Sequence, residues 1–185
     1  MALDKLVEAG ALDKIVIDSG IVYKDYGGVD ETIMGVTRGG NSFSVTPEYK
    51  EIGRDGAMGK EKGLKRLIGL EATLTVNLIS LDGANVKDAI GGAAAWDDTS
   101  KVTSKITLAD ADFLPNVALI GETLDGEYVK ITVFNALADN GFEISLVDKD
   151  EAVVEIEFSA HFDPQGTDYD QLFEVEYLAT FPAAD

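Results

Sequence analysis

Two stretches of period-two alternation, separated by a glycine-rich basic segment, set the narrowest limits on this chain. In the first, Phe43, Val45, Pro47 and Tyr49 alternate with Ser42, Ser44, Thr46, Glu48 and Lys50. In the second, Leu70, Ala72, Leu74, Val76 and Leu78 alternate with Glu71, Thr73, Thr75 and Asn77. Successive side chains of a strand point to opposite faces, so each stretch predicts a strand with one apolar and one polar face. Between them runs Gly53 to Gly69, with five glycines and five basic residues (Arg54, Lys60, Lys62, Lys65, Arg66) against Asp55 and Glu61. An ordinary hairpin loop needs only about 2–5 residues. A connection this long is expected to be disordered or to touch something else.

The remaining pattern is mostly β. Leu3, Leu6 and Val7 at helical spacing, with Gly10 as a stop, predict a short N-terminal helix. Ile15 to Tyr23 reads as extended, and Lys24 to Gly40 as an ordered loop or loosely paired arm. Asp82 is placed to cap a helix from Gly83 to about Gly91, with Val86, Ala89 and Ile90 as its apolar side. Two glycines and three alanines then lead to Trp96, the only tryptophan. A meander follows: Val117 to Thr123, an Asp125-Gly126 turn, then Tyr128 to Phe134. A turn at Asp139-Asn140-Gly141 comes next, with Phe142, Ile144 and Leu146 continuing as a strand and another turn at Asp148-Lys149-Asp150. Val154 to Phe162 alternates again, and Leu172 to Phe181 predicts a last strand. Strands at this spacing with one helix predict a mainly β fold, a β-sandwich or partly open barrel with a flanking α-helix. No repeat or linker marks a boundary within residues 1–185, so a single domain is expected.

Bulk properties narrow the class. The apolar fraction of 45% suits a globular chain. No apolar run approaches the ~20 residues of a membrane-spanning helix, and no membrane partner is expected. The N-terminus lacks a basic region followed by an apolar core, so no secretory signal is read there. With no cysteine, disulfides and thiolate metal sites are excluded, which permits an intracellular origin. The net charge of −19 is uneven: from Asp110 onward there are 18 acidic residues against Lys130 and Lys149. Simple solubility explains an acidic surface. The sharper reading is that the basic segment of one copy meets the acidic surface of the next.

Catalytic patterns fail one by one. His161 is the single histidine, so cysteine–histidine catalysis and multi-histidine zinc sites are unavailable. Its place on the polar face of a predicted strand points to packing or surface rather than general-base work. Gly59-Lys60 looks like a phosphate loop, but Glu61 stands where a Ser or Thr must follow, and Arg54 where the first glycine must stand. The acidic run His161, Asp163, Asp168, Asp170 does not have calcium-loop spacing and reads as a solvated turn, as do Asp148, Asp150 and Glu151. No carboxylate pair is singled out for glycoside hydrolysis. No enzyme activity, cofactor or metal is therefore expected. A carbohydrate- or calcium-binding β-sandwich using the acidic run is the alternative of a different class.

The segments GIVYKDYGG, DETIMGVTRGGNSFSVTPEYKEI and GRDGAMGKEKGLKRLIGLEATLTVNLISL, taken in order, resemble the major tail tube protein of long-tailed bacteriophages, particularly those of phages and prophages of Gram-positive hosts. The later YVKITVFNALADNGFEISLVDKDEAVVEIEFSAHFDP is similar to that family's C-terminal strands. The likeness spans about Gly20 to Pro164. It implies a tail tube-like fold, hexameric rings stacked into a hollow tube, and inner sheets of neighbours joined into one barrel around the lumen. It also implies that the loop between the two strands reaches the adjacent ring. Matching positions are Gly56, Gly59, Lys60, Lys62 and Gly63 in the loop, and Arg38, Gly39 and Gly40 before the first strand. Arg54, Lys65 and Arg66 join them as basic loop residues. The polar face of Glu71, Thr73, Thr75 and Asn77, or that of Glu155, Glu157 and Ser159, is the candidate to face the lumen.

The expected partners are other copies, the tail initiator or tip, tape measure and terminator proteins, and genomic DNA passing without specific binding during ejection. The expected location is the virion tail, assembled in the bacterial cytoplasm. No extra immunoglobulin-like C-terminal domain is read. The same subunit physics serves a tailocin or gene transfer agent.

Overall fold

The computed structural model describes residues 15–16, 20–56, 58–97, 99–145, 151–164 and 171–182. Among the described residues the fold is the expected mainly antiparallel β architecture with one flanking α-helix, and the sheet is not closed into a barrel. One sheet runs in the order β2 (Thr32–Ile33), β1 (Ile21–Lys24), β7 (Leu114–Glu122), β8 (Tyr128–Ala138), with β10 (Phe173–Leu178) on the other side of β8. The other holds β3 (Ser42–Glu51), β4 (Lys65–Leu78) and β9 (Val154–Ser159).

The two sheets share β8. Its first part, Tyr128 to Val133, pairs with β10, and its last two residues, Leu137 and Ala138, pair with β9. Between these stretches Asn135 has a φ of +47°, a left-handed conformation that Asn tolerates better than most residues. Its Nδ2 donates to the His161 carbonyl at 3.2 Å. His161 Nδ1 lies 3.2 Å from the Asn135 carbonyl and 3.0 Å from that of Ser159. Carbonyls only accept, so Nδ1 carries the proton. The lone histidine thus ties down the strand that switches sheets, its ring edge-on to Phe113 at 5.1 Å.

Alternation dictates the core. Ala72, Leu74, Val76 and Leu78 of β4 and Val154, Ile156 and Phe158 of β9 are all buried. They close onto Val22, Val117 and Val133 of the facing sheet. The polar residues of β4 and β9 point the other way.

Asp82 caps α1 (Gly83–Ile90), its side chain accepting from the Asn85 amide at 2.7 Å. The apolar side read from sequence needs correction: Val86 and Ile90 are half-buried, while Asn85 and Asp88 are buried beside Ala89. The cause is Lys24 at the end of β1. Its ammonium donates to Asp88 Oδ2 at 2.9 Å and Asn85 Oδ1 at 3.2 Å, and Asn85 Nδ2 donates to the Met34 carbonyl at 2.5 Å. Buried polar groups survive when each has a partner, and this network fastens the helix across one end of the sandwich. After α1 comes the small hairpin β5 (Ala94–Trp96) with β6 (Val102–Ser104), which the sequence reading did not anticipate. Trp96 lies where a Cβ on Gly83 would stand.

Other expectations change at their edges. Lys24 to Gly40 contains β2, paired with β1. Of the extended stretch Ile15 to Tyr23, Val16 forms a bridge to Thr123 and β1 begins at Ile21, while residues 17–19 lie outside the described residues. Phe142 and Ile144 are not in a strand: Phe142 packs against the core, but residues 142–145, after Gly141 (φ +89°), make no ladder. β9 stops at Ser159, short of Phe162. The predicted N-terminal helix, Leu146, the turn at Asp148 to Asp150, and Asp168 and Asp170 lie outside the described residues.

The ribbon as a candidate assembly site

The hairpin of β3 and β4 exists as the alternation requires, but its loop is shorter than the glycine pattern suggested. Pairing continues through Tyr49 with Leu67, Lys50 with Arg66 and Glu51 with Lys65. Lys65, Arg66, Leu67, Ile68 and Gly69 are therefore strand, not loop. The connection proper runs from residue 52 to 64 and is closed by the Ile52 amide donating to the Leu64 carbonyl at 2.8 Å. The sequence reading missed this extension because a β-bulge breaks the alternation. Glu48 pairs with Gly69, but its neighbour Tyr49 pairs with Leu67, leaving Ile68 as the extra residue. The one readable signal was the apolar pair Leu67-Ile68 inside an otherwise polar segment.

The bulge also sets which side chains share a face. Tyr49 and Leu67 lie on one, where Lys65 Nζ sits 4.1 Å from the Tyr49 ring centroid. Lys50 and Arg66, the next cross-strand pair, share the other, and a cleft beside them is lined by Glu51, Ile52, Leu67 and Ile68 as well. From Thr46 outward every β3 residue is exposed, as are Lys65 to Ile68 of β4. The last five paired residues of β3 thus form a two-stranded ribbon standing about 17 Å clear of the sandwich, at a rise of ~3.4 Å per residue. It is apolar on both faces: Tyr49 is 49% exposed, Ile52 54%, Leu67 49%, Ile68 51% and Met58 fully.

The ribbon's charges are largely matched within it. Arg54 forms a two-pronged pair with Glu61, Nε to Oε2 at 2.9 Å and Nη2 to Oε1 at 2.6 Å, which holds the guanidinium above its ordinary pKa. Lys60 lies 3.3 Å from Glu51. Arg54 is therefore engaged in its own loop rather than extended as a free cation. Gly56 (φ +82°) and Gly63 (φ +100°) supply the left-handed turns of the loop, whereas Gly59 lies in open space without a positive φ.

Arg38, Gly39 and Gly40 shape the turn into β3 at the opposite end of that strand. The Arg38 amide donates to the Asn77 carbonyl at 2.9 Å, and the Asn77 Nδ2 donates to the Gly40 carbonyl at 2.7 Å. The Arg38 guanidinium pairs with Glu151. Asn77 thus fastens the start of β3 as well as belonging to the polar face.

That face brings the other lumen candidates together. Thr73 is opposite Ser159, Thr75 opposite Glu157 and Asn77 opposite Glu155, while Ser42 pairs with Thr75, Ser44 with Thr73 and Thr46 with Glu71. Cross-strand partners share a face. Over these residues it carries Glu71, Glu155 and Glu157 and no lysine or arginine.

Among the described residues no group of three or more His, Asp or Glu side chains is arranged to hold a metal ion. No protein-family model and no curated protein matches the chain. Among solved structures the fold is similar to a chain in the tail of an empty GTA particle computed with helical refinement and C6 symmetry. The identity is 11% over 76% of this chain and 90% of that one, with a TM-score of 0.42. At that identity and score the likeness assigns no function.

Proposed function

We propose that this chain is a structural subunit of a phage or phage-like tail tube, without a chemical reaction of its own. Copies join side by side into rings, and rings stack through the ribbon. The observation that carries this reading is the ribbon itself. An isolated two-stranded hairpin is marginal in water, and one with apolar side chains exposed on both faces is better suited to a partner than to solvent.

Open sheet edges support the lateral contact. Among the described residues β3 ends one sheet path, and β10 pairs only with β8. Unpaired edges invite strand addition, and a ring of identical copies uses them up. The polar face of β3, β4 and β9 then suits a lumen. Duplex DNA carries one negative charge per ~1.7 Å and binds by releasing counterions to lysine and arginine, so a wall of Ser, Thr and Glu lets it pass without sticking. Initiator, tape measure and terminator proteins are the further partners of such a tube.

The test is sedimentation velocity of the full chain across concentration, with negative-stain microscopy of the same samples. Rings or tubes of uniform width at high concentration are the expected result. A monomer at every concentration, even with a tail initiator added, overturns the proposal.

A further inference from the structure

We infer that the ribbon tip of one copy docks into an acidic cleft at the opposite end of a second copy, beside the start of β9; this rests on the stacked-subunit reading above. The two ends are fixed by register. β4 runs from the ribbon to Leu78, which pairs with Val154, the first residue of β9. Four residues beyond Leu78, Asp82 caps α1. The start of β9 therefore lies at the helix end, away from the ribbon.

Beside it an open surface cleft is lined by Asn140, Phe142, Glu143, Ser145, Val153 and Glu155. Val153 is 41% exposed, and the neighbouring Ile144 is 44% exposed. Glu143 and Glu155 are exposed beside this apolar surface. Over residues 154–157 the outer edge of β9 has no strand partner among the described residues, since β8 reaches only Phe158 and Ser159.

The ribbon tip is the chemical complement. From Glu48 to Gly69 there are six basic and four acidic residues, whereas the rest of the chain holds nine basic and thirty acidic. The ribbon is thus a positive segment on a strongly negative molecule, and the nearest abundant negative surface is another copy. Its tip presents Ile52, Met58 and exposed Lys62, which makes no ion pair among the described residues. Apolar side chains have Phe142 and Val153 to cover, and the cation has Glu143 to meet. Because donor and acceptor sit at opposite ends, the contact is head-to-tail and repeats along an axis.

The chain has no cysteine, so single engineered thiols report contacts without background. Lys62→Cys protein is mixed with Glu143→Cys protein under mild oxidation and run on a non-reducing gel, with microscopy of the same mixture. A dimer formed in the mixture and depleted when Lys62→Cys is instead paired with Glu122→Cys, at the ribbon end, is the expected result. Rings or tubes by microscopy with no 62–143 link, or with preferential linkage to position 122, overturn this docking site and leave the tube reading intact. Absence of any assembly overturns both.

Discussion

Replacing Leu67 and Ile68 together by threonine tests whether the ribbon's apolar surface drives association. Both sit at about half exposure, 49% and 51%, so each has roughly half of its side-chain burial still to gain on docking. Full burial of such a side chain stabilises by about 1.5–3 kcal/mol, which leaves about 1 kcal/mol each, or about 2 kcal/mol for the pair. At 1.4 kcal/mol per tenfold, that is about a 30-fold weaker contact. Threonine keeps the β-branched form that strands favour, and exposed substitutions usually change folding stability by no more than about 0.5 kcal/mol. The double variant is therefore expected to melt as the parent does while its critical concentration for polymerisation, read by light scattering, rises about 30-fold. An unchanged critical concentration with an unchanged melting temperature refutes the reasoning, because it leaves the exposed ribbon with nothing to do in assembly.

Three further outcomes follow from the body of the fold. Asp88→Ala leaves the Lys24 ammonium, whose side chain is only 14% exposed, with the Asn85 amide oxygen alone. Breaking a buried pair from one side costs about 3–5 kcal/mol, and a melting temperature within about 2 °C of the parent would contradict that role, since 1 kcal/mol moves a chain of this size by about 2–4 °C. Gly91→Ala places a Cβ against the Ala138 carbonyl oxygen at a residue with φ +68°, where the backbone cannot yield, so a marked fall in soluble yield and melting temperature is expected. Asp97 accepts from the amides of Thr99, Ser100 and Lys101 at 3.0, 2.8 and 2.9 Å, with Ser100 the largest influence, lowering its pKa to about 2. A depressed carboxyl pKa contributes stability that is complete above the unfolded value near 3.8 and is lost as pH falls through about 2. NMR titration of those amides should show a midpoint near 2, and one near 3.8 would mean the loop hydrogen bonds do not form.

The sequence by itself determined the principal core strands, β3, the inner part of β4, β7, β8 and β9, and their faces. Alternation at Ser42–Lys50 and Leu70–Leu78 is local information: the pleat sends successive side chains to opposite sides, and an apolar set on one side must be covered. The Asp82 cap is equally local, because the side chain satisfies an amide only three residues away. What only the tertiary structure decided depends on partners far along the chain. Asn85 and Asp88 are buried because Lys24, more than 60 residues away, brings a charge to the helix. β8 serves two sheets because Asn135 bends where the segment after β9, carrying His161, arrives. The ribbon is longer than its glycines suggested because one bulged residue, Ile68, hides the alternation while pairing continues to Glu51 and Lys65. A one-residue register shift leaves composition and local propensity untouched. It nevertheless decides which side chains share each face, and so what the ribbon offers to a second molecule.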